Sequence, residues 1–402
     1  MPRFEPFAGV RYDLDRVDLD DVVAPPYDVI GPQDQSALEA RSPYNVVRID
    51  LAREEAGRDR YTTAGCLFDE WLAAGILRTD PEPGFYAYRM GYHGTDGQSR
   101  QIGGVLGALE VVAPGEGDVL PHEETQPRVR DDRLKLLRAC RADLSPVWGL
   151  SMAAGLTDLA GAAPGAPVAR CTDEEGVHHR MWRLTQPGVV DAVAQTVASA
   201  PVVIADGHHR YATALAHRDE LGGVDGSDLL LALVCELADG QAGVRPIHRV
   251  ISGLPVGFDL VAALEPFFEP VDADVDASTL PERMAEAGAL GLVLAPEKAF
   301  LLLPRAGAAE PGEDTPPDAA LLDQALATLP AHTLSFEHEL DSVLAQVAAG
   351  DASAGVVLRP VDVHHIARAA VAGRRMPTKT TFFHPKPRTG MVFRRLSDRP
   401  LT

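Results

Sequence analysis

Asp206-Gly207-His208-His209-Arg210 concentrates more chemistry than any other stretch of this chain. It follows Pro201-Val202-Val203-Ile204-Ala205, an apolar, β-branched run that reads as a buried strand. Tyr211 to His217 follows with helix formers and apolar residues at helical spacing. A strand, a tight turn and a helix within fifteen residues point backbone N–H groups and the positive end of a helix dipole at one spot. Gly207 permits positive φ and close approach of an anion, and Arg210 offers a planar bidentate donor for phosphate oxygens. Asp206 is placed to hold a metal ion or accept a proton. The competing reading is a capped turn with solvated histidines. A zinc site from His208, His209 and His217 is disfavoured, because adjacent histidines point in different directions and no Cys lies near.

The remaining cations narrow the search. Only four of the 37 basic residues are lysines, and two of them, Lys379 and Lys386, share the segment Met376 to Pro387. An ammonium is a compact point charge suited to phosphate. Arg128, Arg130, Arg133, Lys135, Arg138 and Arg141 lie in or beside an expected helix over 131–141, which forms either a solvated face or a wall of the anion pocket. His122 and Glu123 precede that helix as acid/base or metal-binding groups, and His248-Arg249 places another such pair near a strand. In Val22 to Ile30, Pro25 and Pro26 exclude helix and fix the presentation of Tyr27 and Asp28.

These groups need a scaffold. At 402 residues and 46% hydrophobic, the chain supports a sizeable core and two or three lobes. A net charge of −21 argues against nucleic acid and anionic membranes as partners, so an anionic substrate requires a local cationic pocket. No signal-peptide pattern or membrane-length apolar run occurs, and Cys66, Cys140, Cys171 and Cys235 form no CxxC pair. This composition predicts reduced thiols and a cytoplasmic protein. Helices are expected over 34–41, 58–74, 189–198 and 364–372, and strands over 45–51, 85–92, 99–112, 178–184, 228–237, 354–358 and 390–393. A hairpin is expected over 291–303, and a mobile acidic, Pro-rich loop over 306–319. Neither GxxxxGK[ST] nor GxGxxG is present, so P-loop and dinucleotide readings lack their motif.

Several blocks together resemble a widespread prokaryotic family long catalogued as a domain of unknown function, with members assigned as diphosphate-dependent serine kinases. The blocks are Ala24-Pro25-Pro26-Tyr27-Asp28-Val29-Ile30, His122-Glu123 with Asp132-Arg133, Ala205 to Tyr211, His248-Arg249, Met376-Pro377 through Lys379, and Phe383-His384-Pro385-Lys386-Pro387. The turn Gly207-His208-His209-Arg210 is also similar to the phosphate-binding turn of the ParB and sulfiredoxin superfamily, which includes nucleotide-dependent free-serine kinases. Here His208-His209 replaces the acidic-basic pair of the DNA-partitioning members.

The resemblance implies an α/β fold with mixed α+β sheets. It has a ParB/sulfiredoxin-like catalytic core over 116–255 and additional N- and C-terminal α/β regions over 1–115 and 256–402. It implies phosphoryl transfer from diphosphate to free L-serine with Mg²⁺, in a monomer or homodimer. His208, His209, Arg210 and Lys379 would hold diphosphate, supported by Gly207, Lys386, His248 and Arg249. Asp206 would be metal ligand or base, with Glu123 the second candidate base and His209 a further catalytic group. Tyr27, Asp28, His122, Arg133 and Thr380 would serve the serine side. ATP or ADP as donor, and a non-catalytic phosphate- or nucleotide-binding regulator, are the alternatives.

Overall fold

The computed structural model describes residues 1–396 except 56, 95–96, 124, 239–242, 274–278, 296, 306–317, 375 and 377–378. Most of the expected 306–319 loop therefore lies outside the described residues. The fold is mixed α/β, as expected. Contacts divide it into two units. The first comprises 1–243, 367–374 and 385–402, and the second 244–366 and 375–384. The regions expected as 1–115 and 116–255 share one sheet, because Leu229–Glu236 lies antiparallel to Ser99–Glu110.

The first unit is built on a nine-stranded mixed sheet. Its spatial order is Val119–Pro121, Val202–Asp206, Val147–Ser151, Leu229–Glu236, Ser99–Glu110, Phe85–His93, His178–Leu184 and Ala169–Thr172, with Phe4–Glu5 added against Ser99–Glu110. Val202–Asp206 runs parallel to Val119–Pro121 and antiparallel to Val147–Ser151. Val202 to Ile204 are fully buried, which explains the unbroken apolar run. Tyr211 and Ala214 of the helix His208–Leu221 join the same core as Val202, Ile204 and Val234.

Helix Pro127–Cys140 packs against both Arg60–Ala73 and His208–Leu221. It starts four residues before the expected 131, because Pro127 occupies the first turn where its missing N–H costs nothing. The second unit carries a six-stranded sheet containing the expected hairpin, as Leu290–Ala295 and Lys298–Pro304. The cysteines are unpaired, and Cys140, Cys171 and Cys235 are buried.

Two expected elements differ. Residues 45–51 form no strand; Val47–Asp50 is a short helix. The Asn45 Oδ1 accepts the Val47 N–H at 3.0 Å and its Nδ2 donates to Asp21 O at 2.7 Å, so local side-chain bonding overrides the apolar alternation. The strand expected at 390–393 is instead Arg394–Arg395, paired with Ala142–Asp143, while Phe393 makes a single bridge to Val10.

Candidate active site

The central turn has the geometry its sequence demands. The register slips between Ile204 and Asp206 against Val147–Ser151, a bulge that re-aims Asp206 at the end of the strand. Gly207 follows at φ 90°, and the helix begins at His208. A Cβ at Gly207 would lie 2.9 Å from Arg210 Nε, so a side chain there strains the backbone and displaces the guanidinium.

Asp206 is the hub of the charges. Arg210 Nη2 donates to its Oδ2 at 2.7 Å, and Lys386 Nζ donates to its Oδ1. The three side chains are 14%, 11% and 10% exposed. Burial opposes ionisation of Asp206, but Lys386 and Arg210 outweigh it and hold the carboxyl at about 2. Arg210 also donates to Pro146 O and, at 3.3 Å, to Ser145 Oγ.

Lys386 reaches this point because its segment is threaded through the first unit. Thr389 and Ala24 exchange two backbone hydrogen bonds, at 2.9 and 3.1 Å. Arg388 N donates to Tyr88 Oη at 3.2 Å, and Arg394 Nη1 donates to Asp143 Oδ2 at 2.8 Å. The bridge at Ala24 also starts the Pro25-Pro26 run that delivers Tyr27 at the head of a 3₁₀ turn.

The histidines dock the neighbouring strand. His122 is fully buried, and its Nδ1 lies 2.6 Å from Ile204 O, so Nδ1 carries the hydrogen. Burial lowers its pKa to about 4. Its backbone N–H donates to His208 Nε2 at 3.3 Å, and Gln126 N–H donates to His209 Nε2 at 3.0 Å. These bonds use Nε2 of both histidines as acceptors. Glu123 is half-buried on the same segment.

A cavity of about 60 Å³ in the first unit is lined by Tyr27, Asp50, Arg133, Asp143, Ser145, Arg210 and Thr213 among apolar side chains. Arg133 is not a free anion binder. Its Nη1 donates to Asp50 Oδ1 at 3.0 Å, its Nη2 to Asp132 Oδ2 at 2.8 Å, and its guanidinium lies 4.2 Å from the Tyr27 ring centroid. Burial pushes the Tyr27 phenol above its ordinary range. Two further cations of the helix have acidic partners, with Arg138 Nε on Glu220 at 3.0 Å and Arg130 beside Asp131.

The first unit thus assembles Asp206, Gly207, His208, His209, Arg210, His122 and Lys386, and places Tyr27 and Arg133 on the cavity wall. Asp28 is exposed. His248, Arg249, Lys379 and Thr380 belong to the second unit. There His248 Nδ1 accepts Leu358 N–H at 3.2 Å, and burial lowers its pKa to about 4. Arg249 Nη1 donates to Ile247 O at 2.7 Å, Thr380 is buried, and Lys379 is exposed at φ 62°.

Two features escaped the sequence reading. One is Asp50, whose only signal was an acid inside the apolar run Val46 to Leu51. The other is the pairing of Lys386 with Asp206 across 180 residues. No group of three or more His, Cys, Asp or Glu able to hold a metal occurs among the described residues.

The model of one protein family matches residues 4–330, which is most of the chain. The chain belongs to the family described as "Protein of unknown function (DUF1015)". No curated protein matches it in sequence. Among solved structures, a conserved hypothetical protein from Pyrococcus furiosus is similar at 14% identity over 66% of this chain and 87% of its own, with a TM-score of 0.37. A free serine kinase in complex with AMP is similar at 12% identity, over 66% and 83% of the two chains, with a TM-score of 0.37. SbnI with a C-terminal truncation, from Staphylococcus aureus, is similar at 11% identity, over 71% and 85%, with a TM-score of 0.38. No helix among the described residues is long and apolar enough to cross a membrane.

Proposed function

We propose that this chain is a small-molecule kinase that transfers a phosphoryl group from inorganic diphosphate to the hydroxyl of free L-serine. The observation that carries the reading is the pairing of Lys386 and Arg210 on Asp206 at the N-terminus of helix His208–Leu221. Two cations and the first N–H groups of a helix converge there, which is what a phosphate donor needs. The resemblance of the turn to that of the ParB and sulfiredoxin superfamily, and of the sequence blocks to diphosphate-dependent serine kinases, supports the same assignment.

Phosphoryl transfer depends on positioning and charge neutralisation more than on covalent help from the protein. In this reading Lys386 and Arg210 turn from Asp206 to diphosphate oxygens, and the helix N–H groups complete the cradle. The serine oxygen attacks one phosphorus, the bridging P–O bond breaks, and its electron pair leaves with orthophosphate. The serine proton passes to a carboxylate. Asp206, held at about 2 by its cations, is a weak base until they turn away; Glu123 is the alternative.

A protein-held Mg²⁺ does not fit Asp206 as it stands, because both its oxygens are taken by cations. Mg²⁺ is proposed to enter with the donor, as a magnesium–diphosphate substrate. Tyr27 is proposed as a wall of the serine pocket.

The test is phosphoserine formation by purified protein with L-serine and Mg²⁺, with diphosphate, ATP or ADP in parallel. Phosphoserine with diphosphate alone is expected. Phosphoserine only with a nucleotide would replace the donor, and none with any donor would remove the kinase reading.

A further inference from the structure

We propose that the cavity beside Arg210 takes a small α-amino acid, whose ammonium group is accepted by the Asp50 carboxylate. The inference deepens the kinase reading, on which it rests for the identity of the amino acid as serine.

Asp50 is 4% exposed, and only one of its oxygens is used. Oδ1 accepts Arg133 Nη1 at 3.0 Å, while Oδ2 is buried without a hydrogen-bond partner among the described residues. A buried carboxylate oxygen left unpaired costs free energy that a bound donor recovers. Burial raises the Asp50 carboxyl, against the opposing pull of Arg133 and Arg210, and an ammonium ligand reverses that shift.

Arg133 fixes the geometry. Its Nη1 donates to both the backbone and side-chain oxygens of Asp50, its other nitrogens bind Asp132, and its face packs on Tyr27. With Arg133 so engaged, Asp50 is held in one rotamer with Oδ2 left over.

A bare metal ion suits this cavity poorly. The cavity's two lining carboxylates, Asp50 and Asp143, already pair with Arg133 and Arg394, Arg133 and Arg210 add positive charge to the wall, and no cluster of metal-binding side chains occurs among the described residues. A zwitterion brings a cation for Asp50 and an anion of its own that offsets the positive charge of Arg210 on the cavity wall. The cavity of about 60 Å³ has room for roughly four to six waters, which matches an amino acid with a short side chain. Arg210 belongs to both the cavity wall and the Asp206 cluster, so a hydroxyl on an amino acid bound here lies next to the proposed donor site.

The experiment has two arms. In the first, the wild-type chain is titrated calorimetrically, without donor, with L-serine, L-alanine and L-glycerate, which replaces the ammonium by a hydroxyl. Serine and alanine are expected to bind, and glycerate at least about tenfold more weakly, the scale of one charge-assisted hydrogen bond. Glycerate binding as well as serine, or no binding by either amino acid, overturns the proposal even if no variant folds. In the second, Asp50→Asn is expected to raise the KM for L-serine at least about tenfold while the KM for diphosphate stays within about twofold. An unchanged serine KM overturns the proposal and leaves the kinase reading intact. Asp50-dependent binding of alanine and serine without phosphoserine from any donor sustains the pocket and removes the kinase reading.

Discussion

Asp206→Asn tests whether the Asp206 cluster is held together by charge. The carboxyl sits at about 2 against an ordinary 3.8, with burial pushing the other way and Lys386 and Arg210 prevailing. At 1.36 kcal/mol per pKa unit, that difference corresponds to about 2 kcal/mol of net stabilisation by ionised Asp206. The variant also strands two largely buried cations, so the loss at pH 7 should be about 2–4 kcal/mol. Lys386→Met should cost less, because Arg210 still serves Asp206. The double variant should cost less than the sum of the two by at least about 1 kcal/mol.

Urea unfolding followed by tryptophan fluorescence is the assay. Trp71, Trp148 and Trp182 all lie in the first unit, and Trp148 pairs in register with Asp206. Because the folded pKa is depressed, the contribution is fully present above 3.8 and lost as pH falls through about 2. The gap between wild type and Asp206→Asn should therefore close in that window. Additive single-variant effects, with coupling under about 0.5 kcal/mol, would show that the contacts carry no net energy and refute the reasoning.

Three further outcomes are expected. Gly207→Ala should destabilise the first unit by about 1–2 kcal/mol and weaken phosphate binding, since it strains φ 90° and displaces Arg210; urea midpoints and diphosphate titration check both. His122, buried and neutral with its pKa lowered from 6.5 to about 4, must charge on unfolding in acid. Stability should therefore fall by up to about 3 kcal/mol as pH drops from 6.5 to 4, and His122→Gln should flatten that part of the profile in urea midpoints. Asp206→Asn should reduce phosphoserine turnover at least about a hundredfold in steady-state assays, and near-normal turnover would remove Asp206 from the reaction.

The strand, glycine turn and helix around Asp206 were legible because every requirement for them is local. A β-branched apolar run, a glycine before a helix and an Arg three positions on are all encoded within fifteen residues. The hairpin Leu290–Pro304 and strand His178–Leu184 were legible for the same reason. The short helix Val47–Asp50 was not, because Asn45 side-chain bonds outweighed an apolar alternation that favours strand. The Lys386–Asp206 pair depends on a C-terminal segment returning to bridge Ala24 and Val10, which no local pattern encodes. The six arginine and lysine positions around helix Pro127–Cys140 left a solvated face and a cationic wall equally open. Asp50, Asp132 and Glu220, remote or adjacent in sequence, take up Arg133 and Arg138.

The central claim is that Asp206, Arg210 and Lys386 form a phosphate-donor site. Calorimetric titration of magnesium diphosphate into wild-type and Lys386→Met protein tests it most directly. The account predicts saturable binding by the wild type and binding at least about tenfold weaker in the variant, the scale of one charge-assisted contact. Equal affinity in the two proteins, or no binding of diphosphate by the wild type, would contradict it.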